Sequence, residues 1–183
     1  DYAIGGSVSY APWLRKLVPD MNVGYLSGYK KIRKEEVVYA SFKFFDLGQM
    51  TFRDDNGAIT GDHSPYELAL SAGYSRMLSD KIGASLGMKW IHSNLTGSYD
   101  ASNGGQTVQT QAGNAVAVDL GFFYQNSEMR VSGKPATLNI GATISDLGSK
   151  MTYTTPEQAQ FIPTKLRIGS ALDMEIDQYN QFG

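Results

Sequence analysis

The stretch PYELALSAGYSRMLSDKIGASLGMKWIHSN, residues 65–94, decides the fold of this chain. On either side of residues 78–81, apolar or aromatic residues alternate with small or polar ones. The apolar set is Tyr66, Leu68, Leu70, Ala72 and Tyr74 before the break, and Ile82, Ala84, Leu86, Met88 and Trp90 after it. A period of two puts the two sets on opposite faces of a strand, so the stretch predicts a β-hairpin with one apolar face.

Two features of this hairpin favour an apolar face that points outward. Its other face consists of Gly, Ser and Ala with a few charges, rather than the dense charged cover of a soluble sheet. The apolar face carries aliphatic residues in its middle and Tyr or Trp near its ends, as membrane barrels do, because amphipathic rings prefer the interface. A soluble barrel with the apolar face inside remains an alternative on the hairpin alone.

The composition narrows the class of protein. The 183 residues fit a single domain spanning residues 1–183. A net charge of -2 gives no basic surface for nucleic acid, and the absence of cysteine excludes a disulfide framework. No apolar run approaches the roughly 18 residues of a spanning helix. The chain shows no signal peptide and opens inside a predicted strand, so we expect a mature fragment of a longer protein.

Alternation elsewhere extends the hairpin into eight candidate strands. They cover residues 4–13, 21–30, 37–46, the two strands of the hairpin, 115–125, 137–145 and 165–174. In the second strand Tyr25 and Tyr29 fall on the apolar face, and Leu26 breaks the pattern.

The connections between these strands differ in length. Long polar loops at 48–64, 94–113 and 147–163 alternate with shorter connections, among them residues 125–135. Antiparallel strands put alternate connections at opposite ends, so the long loops should share one end, as in outer-membrane barrels. We therefore predict an all-β fold, an antiparallel transmembrane β-barrel.

The predicted interior bears on how many strands close the barrel. An open edge in hydrocarbon leaves unpaired backbone groups, each costing several kcal/mol, so the sheet must close. An eight-stranded barrel is just filled by side chains, whereas the inward set here is mostly Gly, Ala and Ser, with Tyr39 and Ile91 as its larger members. We expect part of a larger barrel, or one whose lumen is filled by something else.

Six charged residues fall on the inward face. Glu67 and Lys89 are expected to lie diagonally across neighbouring strands. Such charges could form a polar pore or orient a ligand, but a neutralising ion pair in the lumen is the favoured interpretation. The six are Lys43, Glu67, Lys89, Asp119, Arg167 and Asp173.

No catalytic, metal or cofactor site is predicted. His92 and Ser93 resemble parts of a hydrolase site, but neighbours on a strand point to opposite faces and cannot share a proton. The acidic segments at residues 54–57 and 61–63 do not have the ligand spacing of a calcium loop. Turn-rich loops explain them.

Four segments, in this order, resemble one family. They are APWLRKLVPDMNVGYLSGYKK (11–31), SFKFFDLGQMTF (41–52), GYSRMLSDKIGASLGMKWIHSNLTG (73–97) and FIPTKLRIGSA (161–171). Together they are similar to the PorV family of the type IX secretion system, which belongs to the FadL-like barrels. The resemblance covers nearly the whole chain and implies the middle part of a barrel of about fourteen strands.

The resemblance also implies a function. It implies that the protein is a non-enzymatic, multi-pass β-barrel in the outer membrane of a Gram-negative bacterium, where it contacts lipid and no nucleic acid. Such a protein binds secreted cargo through the cargo's C-terminal domain at a large translocon barrel and passes it to the surface attachment complex. Since aromatics anchor interfaces, we expect cargo contacts in the long loops. The candidates are Phe52, Asp54, Tyr99, Tyr153 and Phe161.

Two other functions remain open at this point. A FadL-like transporter of hydrophobic small molecules would need an apolar pocket in the lumen, against which the small and polar inward set argues. A structural barrel without cargo is the third possibility.

Overall fold

A computed structural model describes residues 3–13, 20–53, 57–95, 97, 100–103, 106–175 and 181–182. The strands are β1 (Ile4–Pro12), β2 (Asn22–Arg33), β3 (Glu36–Asp46), β4 (Met50–Arg53), β5 (Ile59–His63), β6 (Tyr66–Met77), β7 (Ile82–Asn94), β8 (Asp100–Asn103), β9 (Gln106–Gln109), β10 (Gly113–Val131), β11 (Lys134–Gly148), β12 (Lys150–Met151), β13 (Gln160–Phe161), β14 (Lys165–Glu175) and β15 (Gln181–Phe182). A 3₁₀ turn spans Pro156–Gln158. Within the described residues, no helix is long and apolar enough to cross a membrane.

Eight long strands form one antiparallel sheet that curls into a half-barrel. Its order is β1-β2-β3-β6-β7-β10-β11-β14, with the short β15 beside β14. Strands next to each other in the chain are therefore neighbours in the sheet, apart from small two-stranded ribbons inserted in the loops. The predicted all-β barrel fold is confirmed, and each of the eight predicted strands is present.

The apolar residues lie on the convex face of the half-barrel. Leu70 is 53% exposed, Leu86 54% and Ile168 73%, although all three occupy the middle of long strands. On the concave face, the Tyr39 ring lies over Gly73 and Gly87 and so reaches across two neighbouring strands. The period of two thus separates an apolar outer wall from a sparser inner wall.

The predicted faces of β2 are wrong. Tyr29 of β2 lies opposite Tyr39 of β3, and directly opposite residues share a face of the sheet. The odd-numbered residues of β2, Tyr25 included, therefore lie on the concave face with Tyr39. An ideal Cβ on Gly5 would lie 2.5 Å from Tyr29 Cε1, so the tyrosine ring fills the space that glycine leaves free. Leu26 lies on the convex face between Val8 and Phe42 and fits the pattern after all.

The concave face is consequently less sparse than predicted. Tyr25 and Tyr29 line it, and the register of β3 and β10 places Phe45 and Phe123 on it as well. Alternation in β2 predicted the wrong face, because the set of residues that contains Tyr25 and Tyr29 faces inward.

The connections divide the half-barrel into two different ends. The loops 47–65, 95–112 and 149–164 all lie at one end, here called the long-loop end. At the opposite, short-turn end, β2 and β3 are joined by two residues, and β10 and β11 by Ser132 and Gly133. Both residues of the second turn have positive φ, 52° and 81°, as a tight hairpin turn requires.

Four predicted connections differ from the structure. The predicted connection 125–135 shrinks to that two-residue turn, because β10 continues to Val131 and β11 starts at Lys134. The predicted polar loops contain the ribbons β4–β5, β8–β9 and β12–β13. Gly57, with φ 82°, lies between the two strands of the first ribbon, and the pairing itself has no period-two signal.

Candidate functional site

The long loops at one end of the half-barrel contact one another. His63, at the end of the β4–β5 ribbon, has its Nε2 3.3 Å from the Asn94 carbonyl oxygen. An ideal Cβ on Gly97 would lie 2.9 Å from the same imidazole ring, which shows how closely the first loop packs on the second. The Gln111 N–H donates to the Tyr153 carbonyl oxygen over 2.8 Å and joins the second loop to the third. The three loops therefore form one continuous surface.

The third loop, 149–164, returns onto the concave face. An ideal Cβ on Gly113 would lie 2.7 Å from Met151 Cγ and 3.0 Å from Tyr153 Cε1. A larger residue at position 113 would require Met151 or Tyr153 to shift. The Tyr153 hydroxyl donates to Ser93 Oγ over 2.9 Å, and Ser93 Oγ donates to Glu67 Oε1 over 2.8 Å. This chain of hydrogen bonds gives the buried serine two partners.

An ion cluster lies on the concave face beside this loop. Lys89 Nζ is 2.6 Å from Asp146 Oδ1 and 3.1 Å from Asp119 Oδ2. Lys165 Nζ is 3.0 Å from Asp146 Oδ2. The Asp146 N–H also donates to Asp119 Oδ1 over 2.8 Å. Two lysines thus face two carboxylates across β7, β10, β11 and β14.

A β-bulge brings Asp146 into this cluster. The register between β10 and β11 shifts from Leu120↔Ile144 to Val118↔Leu147, so β11 carries one extra residue there. Asp146 takes up the irregularity with φ 62°. Aspartate tolerates this left-handed conformation better than most residues. Without the bulge, alternation would place Asp146 on the convex face.

The expected diagonal contact between Glu67 and Lys89 is wrong. Glu67 pairs with Ser93, whereas Lys89 pairs with Ser71, so the two charges are four residues out of register. Glu67 is engaged by Ser93 and Lys89 by the two aspartates. The two strands pair as predicted, but an offset of four residues along a strand separates the Glu67 and Lys89 side chains by about 13 Å. This distance is too long for an ion pair.

The remaining inward charges lie apart from the cluster. The strand registers place Lys43, Arg167 and Asp173 on the concave face. Asp173 Oδ2 accepts a hydrogen bond from Asn139 Nδ2 over 2.8 Å, and Asn139 Oδ1 accepts one from Gln125. Lys43 and Arg167 are exposed there.

The candidate contact residues occupy different positions. Phe161 is 69% exposed on β13, and Lys150 Nζ lies 5.2 Å from its ring centroid. Tyr153 is half-buried and packs against the wall, where its hydroxyl bonds to Ser93. Phe52 belongs to β4, but its side chain is not described, and Asp54 and Tyr99 lie outside the described residues.

Sequence reasoning missed Asp146, Lys165 and Ser93 as members of the site. A β-bulge redirects Asp146 to the concave face, and Lys165 is the first residue of β14. The partners of Ser93, Glu67 and Tyr153, are far from it in the sequence, so no local pattern indicates them. His92 and Ser93 do point to opposite faces, since His92 lies among the convex aromatic rings. Among the described residues, no group of three or more His, Cys, Asp or Glu could hold a metal ion.

Comparison with known protein families gives a match over nearly the whole chain. Over residues 2–183 the chain matches a family described as type IX secretion system protein PorV. No curated protein matches it.

Proposed function

Since this chain belongs to the PorV family of type IX secretion system proteins, we propose that it is a non-enzymatic component of that system in the cell outer membrane. In this proposal it binds secreted cargo through the cargo's C-terminal domain at the large translocon barrel. It then passes the cargo to the surface attachment complex. The observation that carries the proposal is the joining of three long loops into one surface at one end of an apolar-walled half-barrel.

The convex face supports a position in the outer membrane. At the long-loop end, Phe44, Tyr66, His92 and Trp90 form a row of rings whose successive centroids are 6.0, 5.9 and 5.8 Å apart. Tyr74, further along β6, is the corresponding ring near the short-turn end. Eight residues of strand span about 26 Å. At a tilt of about 40° this gives about 20 Å along the barrel axis, comparable to an apolar band of about 25 Å.

The linked loops support recognition of another protein at that end. Phe161 presents a large apolar ring to solvent, with Lys150 beside it, on the exposed side of a short ribbon. Large aromatic side chains are enriched at protein interfaces. Phe52, Asp54 and Tyr99 remain predicted contacts in the other two loops. Tyr153, already bonded to Ser93, is better placed to support the surface than to meet cargo.

A crosslinking experiment tests this proposal. The photoreactive amino acid p-benzoyl-phenylalanine would replace Phe161 in the full-length protein, and Leu86 on the convex face in a matched control. We expect Phe161 to crosslink to the C-terminal domain of secreted cargo, and position 86 to crosslink only to lipid or to a neighbouring barrel. Cargo crosslinked from position 86 but not from Phe161 would contradict the proposal.

One observation favours the transporter as a second candidate. Near the short-turn end the concave face holds a hollow of about 590 Å³, lined in part by Val37, Met77 and Phe123, with Lys31 and Lys34 among the polar lining residues. Its size is within the range of small-molecule sites. A transporter also needs a path from this hollow past the long-loop end. Uptake of a labelled hydrophobic compound that depends on this protein would support that candidate.

A further inference from the structure

The loop 149–164 is held at both of its ends. At its start, the Ser149 N–H donates to the Val116 carbonyl oxygen over 2.8 Å, and Ser149 Oγ accepts from the Val116 N–H over 3.1 Å. At its end, Thr164 Oγ1 donates to the Asp146 carbonyl oxygen over 3.4 Å, and Lys165 pairs with the Asp146 carboxylate. The loop therefore leaves and rejoins the wall at two fixed points.

Apolar side chains of the loop fill space that glycines leave on the concave face. Met151 and Tyr153 do so over Gly113, and Ile162 does so over Gly148. An ideal Cβ on Gly148 would lie 2.6 Å from Ile162 Cδ1 and 2.9 Å from Ala117 Cβ. Beneath the loop, Ala117 and Ser93 are each only 1% exposed. These are among the few buried side chains of the described sheet, so the loop covers part of the wall that it lies on.

The middle of the loop is fixed by polar contacts. Tyr153 bonds to Ser93 through its hydroxyl and to Gln111 through its carbonyl oxygen. The Gln111 side chain also donates to the Thr154 carbonyl oxygen over 3.4 Å. A mobile lid would show few buried contacts and a solvated backbone. In this loop residues 151–154 and Ile162 are half-buried, and both ends are bonded to the wall, whereas the exposed residues 157, 158, 160 and 161 form its outer side.

From these contacts we infer that residues 149–164 form a fixed plug, which closes the concave face at the long-loop end. Molecules inside the barrel then cannot pass along this wall to the outside at the long-loop end. The hollow near the short-turn end is then blind. This inference stands on the packing of the loop and is independent of the proposed cargo role.

Cysteine labelling in intact cells tests the plug directly, because the chain contains no cysteine of its own. Ser93→Cys places a thiol under the plug, and Phe161→Cys places one on its exposed side. A membrane-impermeant maleimide is added from outside to cells that carry the full-length protein. We expect Ser93→Cys to react about 100-fold more slowly than Phe161→Cys, because it reacts only when the loop opens.

A second variant shows whether the loop causes this protection. Replacing residues 150–163 by a short Gly-Ser linker in the Ser93→Cys background should raise its labelling rate to that of Phe161→Cys. In planar bilayers the same deletion should produce a steady conductance that the unmodified protein lacks.

The inference is overturned if Ser93→Cys reacts as fast as Phe161→Cys, or if the deletion changes neither labelling nor conductance. Should Ser93→Cys fail to fold, Ala117→Cys reports the space under Ile162 at the end of the loop, with the same expected protection. Rapid labelling of that thiol would equally overturn the plug. Heat-modifiable migration on gels checks that each variant is folded.

Discussion

Replacing Lys89 by methionine should destabilise the barrel strongly, whereas the same change at Lys43 should not. Lys89 contacts Asp119 and Asp146, and its side chain is only 19% exposed. Methionine keeps most of the aliphatic stem, so the change removes the charge and leaves little cavity. What remains is a pair of carboxylates, bonded through one backbone N–H and facing a single lysine, Lys165.

The magnitude follows from the burial of the cluster. Removing one partner of a buried ion pair costs about 3–5 kcal/mol, because the other charge is left uncompensated. Asp146 is 12% exposed but keeps Lys165, and Asp119 is 28% exposed and partly solvated. Both facts reduce the cost, so we expect a loss of about 2 kcal/mol for Lys89→Met, roughly a 30-fold change in the unfolding equilibrium. In the part of the chain that the structure describes, Lys43 makes no ion pair.

Urea unfolding of the full-length protein in lipid vesicles measures these differences, with tryptophan fluorescence as the signal. Lys43→Met should remain within about 0.5 kcal/mol of the unmodified protein. The double variant Lys89→Met/Asp146→Asn should recover part of the loss, because it removes one of the facing carboxylates. Equal stability of the two single variants, or a double variant less stable than the sum of its parts, would refute this account of the cluster.

Three further predictions concern the wall, the plug and a turn. Phe42→Lys should cost about 2–4 kcal/mol of stability in vesicles, whereas Ser41→Lys, its neighbour on the concave face, should cost less than about 1 kcal/mol; equal costs would contradict the assignment of the faces. Gly148→Ala should shift Ile162 and raise the labelling rate of a thiol under the plug, because the added methyl also meets the Val116 carbonyl oxygen at 2.6 Å; an unchanged rate would argue against tight packing there. Gly133→Val should lower the unfolding free energy by at least about 1 kcal/mol, since φ is 81° at this turn, and a neutral result would show that the turn can relax.

The sequence predicted the strands well because one rule applies along the whole sheet. Residues such as Leu70 and Leu86 alternate with small residues over the full length of a strand, and a two-faced wall requires that period. The rule failed in β2, where tyrosines face inward against Gly5. Whether a ring suits the inside or the outside of a barrel depends on the neighbouring strand, and the periodicity of one strand does not contain that information.

The candidate site was harder to predict for a similar reason. Six charges were assigned to the concave face from alternation alone, and the registers place them there. Asp146 was missed because a single extra residue in β11 reverses its face. The return of loop 149–164 onto Gly113 and Gly148 depends on contacts between segments far apart in the chain. No local pattern specifies such contacts.

The simple strand order also determines how the wall can be assembled. Because each long strand pairs with the next long strand along the chain, every hairpin can form from nearby residues, at a low entropic cost of loop closure. The contact between Lys89 and Asp146 is different, since it joins residues 57 apart. Since β10 lies between their two strands, this ion pair ties together three strands that no single hairpin contains.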